Sequence, residues 1–192
     1  MVDKESLIKF NEEILEKYNA GLIHSPVHLH GGNEDALIKV FEQYKEGDWV
    51  FSTHRSHYHW LLSGRPSDVL KQQIFDGHSM HIFGEKFLTS AIVSGIAPIA
   101  VGVAKAIQLK GSNEHVWCFL GDMAASGGLV SECFRYSIGF NLPITFVVED
   151  NCMSVRACTK DIWGTNKSND KILYYKYNRK YPHAGGGQYV MF

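Results

Sequence analysis

From residue 4 to residue 19 the apolar positions recur with helical period, placing Leu7, Ile8, Phe10, Ile14, Leu15 and Tyr18 on one side. Asn33 to Tyr44 reads as a second helix, with Asn33 placed to cap it. Trp49-Val-Phe-Ser reads as a short strand, and Pro66 to Phe75 as a helix entered through its proline. Ser90 to Lys110 is long and rich in Ala, Gly, Ile and Val, the composition of a buried helix packed closely by its neighbours. His115 to Leu120 and Ile144 to Glu149 are continuous apolar runs, as strands buried on both faces should be. Gly127 to Phe140 is the helix between them, and Ile172 to Lys180 is a late, aromatic-rich strand. Alternating helix and strand predicts an α/β fold, a mostly parallel sheet flanked by helices. No internal repeat or low-complexity linker divides the pattern, so residues 1–192 read as a single domain.

The two apolar strands end in polar residues. The first runs out in Gly121-Asp122-Met123 and the second in Glu149-Asp150-Asn151. Gly121 is expected to let the chain turn sharply as it leaves the strand. Asp122 and Asn151 are 29 positions apart, room for one helix and one strand returning to the same sheet edge. Two oxygen-bearing side chains at neighbouring strand ends suit a hard divalent cation, which in turn holds a diphosphate. The spacing alone is equally compatible with ordinary turn residues.

Composition narrows the class. Hydrophobic residues are 45% of the 192, enough for a packed core. A net charge of −1 argues against nucleic acid as the main partner. No apolar run approaches the roughly 18 residues of a membrane span. The charged, helix-patterned start Met-Val-Asp-Lys-Glu-Ser is not that of a signal peptide. Cys118, Cys133, Cys152 and Cys158 form no CxxC pair, and predict reduced core thiols in a cytoplasmic protein. No histidine pair has the spacing and cysteine support of a structural zinc site.

Five ordered blocks carry a family resemblance. Besides Gly121-Asp122 to Asn151, they are His28-Leu-His30-Gly-Gly-Asn-Glu34, Phe51-Ser-Thr-His54-Arg55-Ser-His57, Gly77-His-Ser79-Met80-His81 and Ala91-Ile-Val93. Together they resemble the thiamine diphosphate-dependent 2-oxo acid dehydrogenases, in particular the alpha subunit of the decarboxylase component, over residues 20 to 183. The resemblance implies the three-layer thiamine diphosphate-binding fold. It implies that Asp122 and Asn151, with the main-chain carbonyl of Met153, bind Mg2+. Arg55 would hold the diphosphate, as would Arg179 and His183, which repeat the family's Arg-x-x-x-His spacing. Met123 and Ala124, next in the motif, would lie against the cofactor, and Val93 against its aminopyrimidine ring. His28 and His57 are the implied catalytic residues, facing the substrate to neutralise a carboxylate or move protons.

Some positions depart from the family pattern. Met123 replaces a glycine beside the diphosphate, where a Cβ narrows the space. Asp150 replaces an asparagine, His54 a tyrosine and Ala91 a glycine. The match ends at His183, which reads as a short, divergent member. No candidate appears for the glutamate that activates the cofactor, which in two-chain members comes from the beta subunit. The expectation is a subunit of a two-chain enzyme, a heterotetramer with a beta-like chain, acting on a 2-oxo acid by decarboxylation with acyl or two-carbon transfer. Transketolase-like transfer of a ketol unit from a ketose to an aldehyde is the alternative, and a non-catalytic scaffold subunit a further one. Glu132 and the Tyr174 to Tyr181 stripe are expected to be structural, the stripe as core or interface.

Overall fold

The computed structural model describes residues 2–155, 157–164 and 172–187. In chain order the elements are α1 (Lys4–Asn19), α2 (Glu34–Phe41), β1 (Trp49–Ser52), α3 (His57–Leu62), α4 (Ser67–Phe75), β2 (Phe83–Gly84), β3 (Phe87–Thr89), α5 (Ile96–Lys110), β4 (Val116–Gly121), α6 (Asp122–Ala125), α7 (Gly128–Gly139), β5 (Ile144–Asp150), β6 (Met153–Ser154), β7 (Ala157–Cys158), α8 (Thr159–Trp163) and β8 (Leu173–Lys176). They group into two compact units. One comprises residues 2–46, 54–89 and 178–187 among those described, the other 47–53 and 90–177.

The second unit is the parallel sheet, with strands in the order β1-β4-β5-β8. β4 is central and pairs on both edges, which is why Val116, Cys118, Phe119 and Leu120 are all fully buried. Asp48 locks β1 to β4. Its carboxylate accepts the His115 backbone N–H at 2.9 Å and the Trp117 indole N–H at 3.1 Å. Helix α5 lies along the sheet through Ala97, Ala100, Ala104 and Ile107, and α7 packs its Phe134 edge-on against Phe146 of β5. This is the α/β architecture, a parallel sheet with flanking helices, that the alternating pattern predicts.

The first unit is helical with one β2–β3 hairpin. Its core is built by Leu7, Phe10 and Ile14 of α1 and by Leu37, Tyr58, Leu70 and Ile74. Asn11, buried on the apolar face of α1, donates its amide to the His30 carbonyl and to the Tyr58 hydroxyl, each at 2.9 Å. It thereby pins the segment before α2 to α3.

Several expectations are corrected. The helix expected over Ser90–Lys110 begins only at Ile96. Ser94 lies at φ 63°, in the left-handed region, and ends any helix before it. That helix is also not buried all round, since Ile99 and Leu109 are exposed. Asn33 occupies the N-cap position of α2 but makes no side-chain capping bond, and the helix stops at Phe41. Instead Glu34 accepts the Gly32 N–H. The late strand is confined to Leu173–Lys176. Only Cys118 and Cys133 are buried, whereas Cys152 is exposed and Cys158 half-buried; all four are free thiols.

Candidate functional site

The parallel register sets the first group of residues. Gly121 lies opposite Glu149, so Asp122 and Asn151 leave adjacent strands at the same C-terminal rim. This is where ligands bind in open parallel sheets. Gly121 itself needs no special conformation. Its φ is −73°, and a Cβ at that position would meet nothing within 4 Å, so the sharp turn expected of it is not what that glycine provides. The turn is made by α6, and α6 packs against β6, which carries Met153.

Asp122 is 2% exposed. Its carboxylate accepts the Thr159 hydroxyl, and the backbone N–H groups of Asp122 and Met123 add further support. Burial pushes its pKa above the usual carboxylate range, against the Thr159 bond, and the neighbouring Asp150 adds to the rise. Among the described residues no lysine, arginine or histidine pairs with it. Asn151 is held at both ends of its amide. Its Nδ2 donates to the Tyr177 hydroxyl at 3.1 Å and its Oδ1 accepts the Met153 N–H at 3.0 Å.

Val93 is exposed in the turn before α5, and that turn is tied to α6 by the Ser94 hydroxyl, which donates to the Ala124 carbonyl at 2.9 Å. Met123 accepts the Trp163 indole N–H on its sulfur at 3.2 Å.

The tyrosines expected as core or interface have a more specific task. β8 pairs with β5 so that Tyr175 faces Glu149, and Tyr174 lies diagonal to Asp150. Their hydroxyls donate to those two carboxylates. Burial raises the Asp150 pKa, but the Tyr174 hydroxyl, the Cys152 amide and Lys176 outweigh it and hold this carboxyl below its usual value.

The second group belongs to the helical unit. His28, His54 and His183 come from three distant segments, yet their ring centroids lie 4.4, 4.8 and 5.4 Å apart. Arg55 organises them through its backbone contacts. Its Nε donates to the Leu29 carbonyl at 2.9 Å and its Nη2 to the His183 carbonyl at 3.2 Å. The Lys180 N–H, donated to the Gly31 carbonyl at 3.1 Å, ties the same segments again. Arg179 adds positive charge near His183.

Burial, reinforced by the neighbouring histidines and Arg55, lowers the His28 pKa to about 2. Burial and then Arg55 and His183 lower that of His54 to about 3. His183 is lowered by burial, Arg55 and Arg179. His57 is fully buried at the start of α3, 3.0 Å through Nε2 from the Ser79 hydroxyl, and burial lowers its pKa to about 4, outweighing a hydrogen bond to the Ser79 backbone that raises it.

At neutral pH these rings are uncharged, and positive charge in the cluster comes from the guanidinium groups. Three imidazoles are a sufficient ligand set for a zinc-type ion. The adjacent guanidinium charge opposes a cation there and favours an anion.

Of the candidates named from the sequence, the structure gathers Asp122 and Asn151 at one rim and Arg55, His28 and His183 in one cluster. Thr159, Ser94 and the tyrosine clamps were not among those candidates, and His54 was treated only as a departure from the family pattern. Ser79 lies inside one of the motif blocks, and its pairing with a histidine could have been sought there. For Thr159 no local signal exists.

Comparison with known proteins gives the class. The family model described as dehydrogenase E1 component matches residues 3–162. The alpha subunit of acetoin:2,6-dichlorophenolindophenol oxidoreductase from Cupriavidus necator is 30% identical over 172 residues, covering 78% of this chain and 52% of that protein. The pyruvate dehydrogenase E1 component subunit alpha of Rickettsia prowazekii is 33% identical over 157 residues, 76% of this chain and 48% of the relative. The Bacillus subtilis acetoin oxidoreductase alpha subunit is 32% identical over 154 residues, 74% of this chain and 46% of the relative. The chain spans about half the length of these curated relatives. It belongs to the dehydrogenase E1 component family, and within it stands with the alpha subunits of the thiamine diphosphate-dependent 2-oxo acid dehydrogenases.

Proposed function

We propose that this chain is the alpha-type subunit of a two-chain thiamine diphosphate-dependent enzyme that decarboxylates a 2-oxo acid and passes on the acyl or two-carbon fragment. The observation that carries the cation half of this reading is Asp122, a buried carboxylate with no counter-charge among the described residues, at the same strand-end rim as Asn151. Buried charges are paired or coordinate metals. A carboxylate, an amide oxygen and the Met153 carbonyl make a hard, all-oxygen donor set of the kind magnesium takes, with phosphate and water completing it. The residues present therefore fit Mg2+ and a diphosphate.

Arg55, Arg179 and His183 are assigned to the phosphates, where guanidinium groups give charge-assisted hydrogen bonds. Val93, Met123 and Ala124 are assigned to the remaining cofactor contacts. Thiamine diphosphate, when bound, supplies a nucleophilic carbon and an electron sink.

This chain's own groups orient and handle protons. His28 is a neutral imidazole placed to hydrogen-bond the substrate near the reacting carbon, burial and the neighbouring positive groups disfavouring its charged form. His57, sealed from solvent, acts through its hydrogen bond to Ser79. The activating glutamate comes from a separate beta-type chain, in a heterotetramer. Support for that partner is the alpha-subunit naming of the relatives.

The test is an assay of the protein isolated with its accompanying chain. It follows release of CO2 from pyruvate with a lipoyl acceptor and, separately, with an aldehyde. Acyl transfer to the lipoyl group is expected. Ketol transfer to the aldehyde alone would replace that reaction class, and turnover by this chain by itself would contradict the partner requirement.

A further inference from the structure

Thr159 opens the short helix α8 and is 2% exposed, although it lies in a surface-rich stretch in which Lys160 and Trp163 are exposed. Its two hydrogen-bond donors go to two different places. The side-chain hydroxyl donates to Oδ2 of Asp122, 37 positions earlier in the chain. The backbone N–H donates to the Cys152 carbonyl at 3.2 Å, in the loop between Asn151 and Met153. The residue before it, Cys158, pairs with Met153 in the β6–β7 ladder. At the other end of α8, Trp163 donates its indole N–H to the Met123 sulfur. One five-residue helix thus touches both the aspartate turn and the asparagine loop, the two places from which the cation ligands are drawn.

A carboxylate has about four lone-pair sites, and a ligand whose other sites are filled by fixed donors presents one defined direction to a metal. Groups that orient ligands in this way contribute strongly to metal affinity. We propose that Thr159 is the positioning residue of the cation site. It is a cross-brace that fixes the Asp122 carboxylate relative to the Asn151–Met153 loop, with α8 as the element that delivers it. This rests on the reading of Asp122 and Asn151 as cation ligands. It also gives Met123 a use: the side chain that replaces glycine docks Trp163 and so anchors the brace.

The experiment uses the protein as isolated, with any chain that co-purifies, and Mn2+ as the paramagnetic stand-in for Mg2+. Mn2+ affinity is read by electron paramagnetic resonance at saturating thiamine diphosphate. Wild type is compared with Asp122→Ala, Thr159→Val, Thr159→Ala and Thr159→Ser, and thermal unfolding is followed for each. Loss of the hydroxyl in Thr159→Val and Thr159→Ala is expected to weaken Mn2+ about tenfold or more, and Thr159→Ser to stay within about threefold of wild type. If the valine variant does not fold, the alanine variant carries the comparison.

Asp122→Ala without Mn2+ binding, together with wild-type affinity in both hydroxyl-free variants, overturns the brace and leaves the cation reading intact. A serine variant as weak as the valine variant also overturns it, because packing and not the hydroxyl would then be at work. Wild-type Mn2+ affinity in Asp122→Ala overturns the cation reading and the brace together.

Discussion

Acid should unfold this protein partly through its buried histidines, and His57 isolates one of them. The ring is 0% exposed, and burial, with help from Arg55 and His59, depresses its pKa to about 4 against a hydrogen bond to the Ser79 backbone. An unfolded histidine titrates near 6.5. The sign follows from linkage. A base with a lowered folded pKa gives stability that is complete above the unfolded value and lost as pH falls toward the folded one.

Between pH 7 and pH 5.5 the unfolded ring becomes about 90% protonated while the folded ring stays neutral, a loss of about 1.2 kcal/mol from this group alone. Replacement by glutamine removes the titration and keeps a side chain that can pair with Ser79. His57→Gln is therefore expected to lose about 1.2 kcal/mol less stability than wild type across that window. At pH 5.5 it is expected to take up about 0.9 fewer protons on unfolding. Urea unfolding at several pH values measures the first quantity. Calorimetric unfolding in buffers of different ionisation enthalpy measures the second. Equal pH dependence and equal proton uptake in the two proteins would refute the reasoning, because His57 would then titrate freely in the folded state.

Two further substitutions probe the scaffold beneath the two groups. Asp48→Ala leaves the His115 amide and the Trp117 indole N–H without their acceptor, and is expected to cost about 2–4 kcal/mol in chemical denaturation, with Asp48→Asn recovering part of it. Arg55→Lys cannot reproduce the two carbonyl contacts to Leu29 and His183; it is expected to destabilise the protein by about 2–3 kcal/mol and to speed tryptic cleavage at Arg179 and Lys180.

Much of the sheet was legible because burial on both faces writes itself into sequence. β4 and β5 are continuous apolar runs bounded by polar turns, and they fold where those runs lie. Helix α1 was equally plain, since a single buried stripe through Leu7, Phe10 and Ile14 imposes the helical period. Short elements carry no such period. The β2–β3 hairpin has strands of two and three residues, and α3 is a run of histidine, tyrosine and tryptophan with no polar face to mark it.

Small residues misled over Ser90–Lys110, because Ala, Gly and Ser suit a close turn as well as a close helix. In the site, Asp122 and Asn151 were readable because strand ends announce themselves. The groups that hold them were not. Thr159 and Tyr177 reach the rim across the sheet by register and loop path, and a hydroxyl residue at such a distance leaves no local pattern.

The central claim is that Asp122 and Asn151 hold a divalent cation that anchors a diphosphate. The measurement closest to it is calorimetric titration of thiamine diphosphate into the wild-type protein, with and without Mg2+, and into Asp122→Ala. Saturable binding that requires Mg2+ and disappears in Asp122→Ala is the predicted result. Binding of equal strength in both proteins, or binding indifferent to Mg2+, would contradict it.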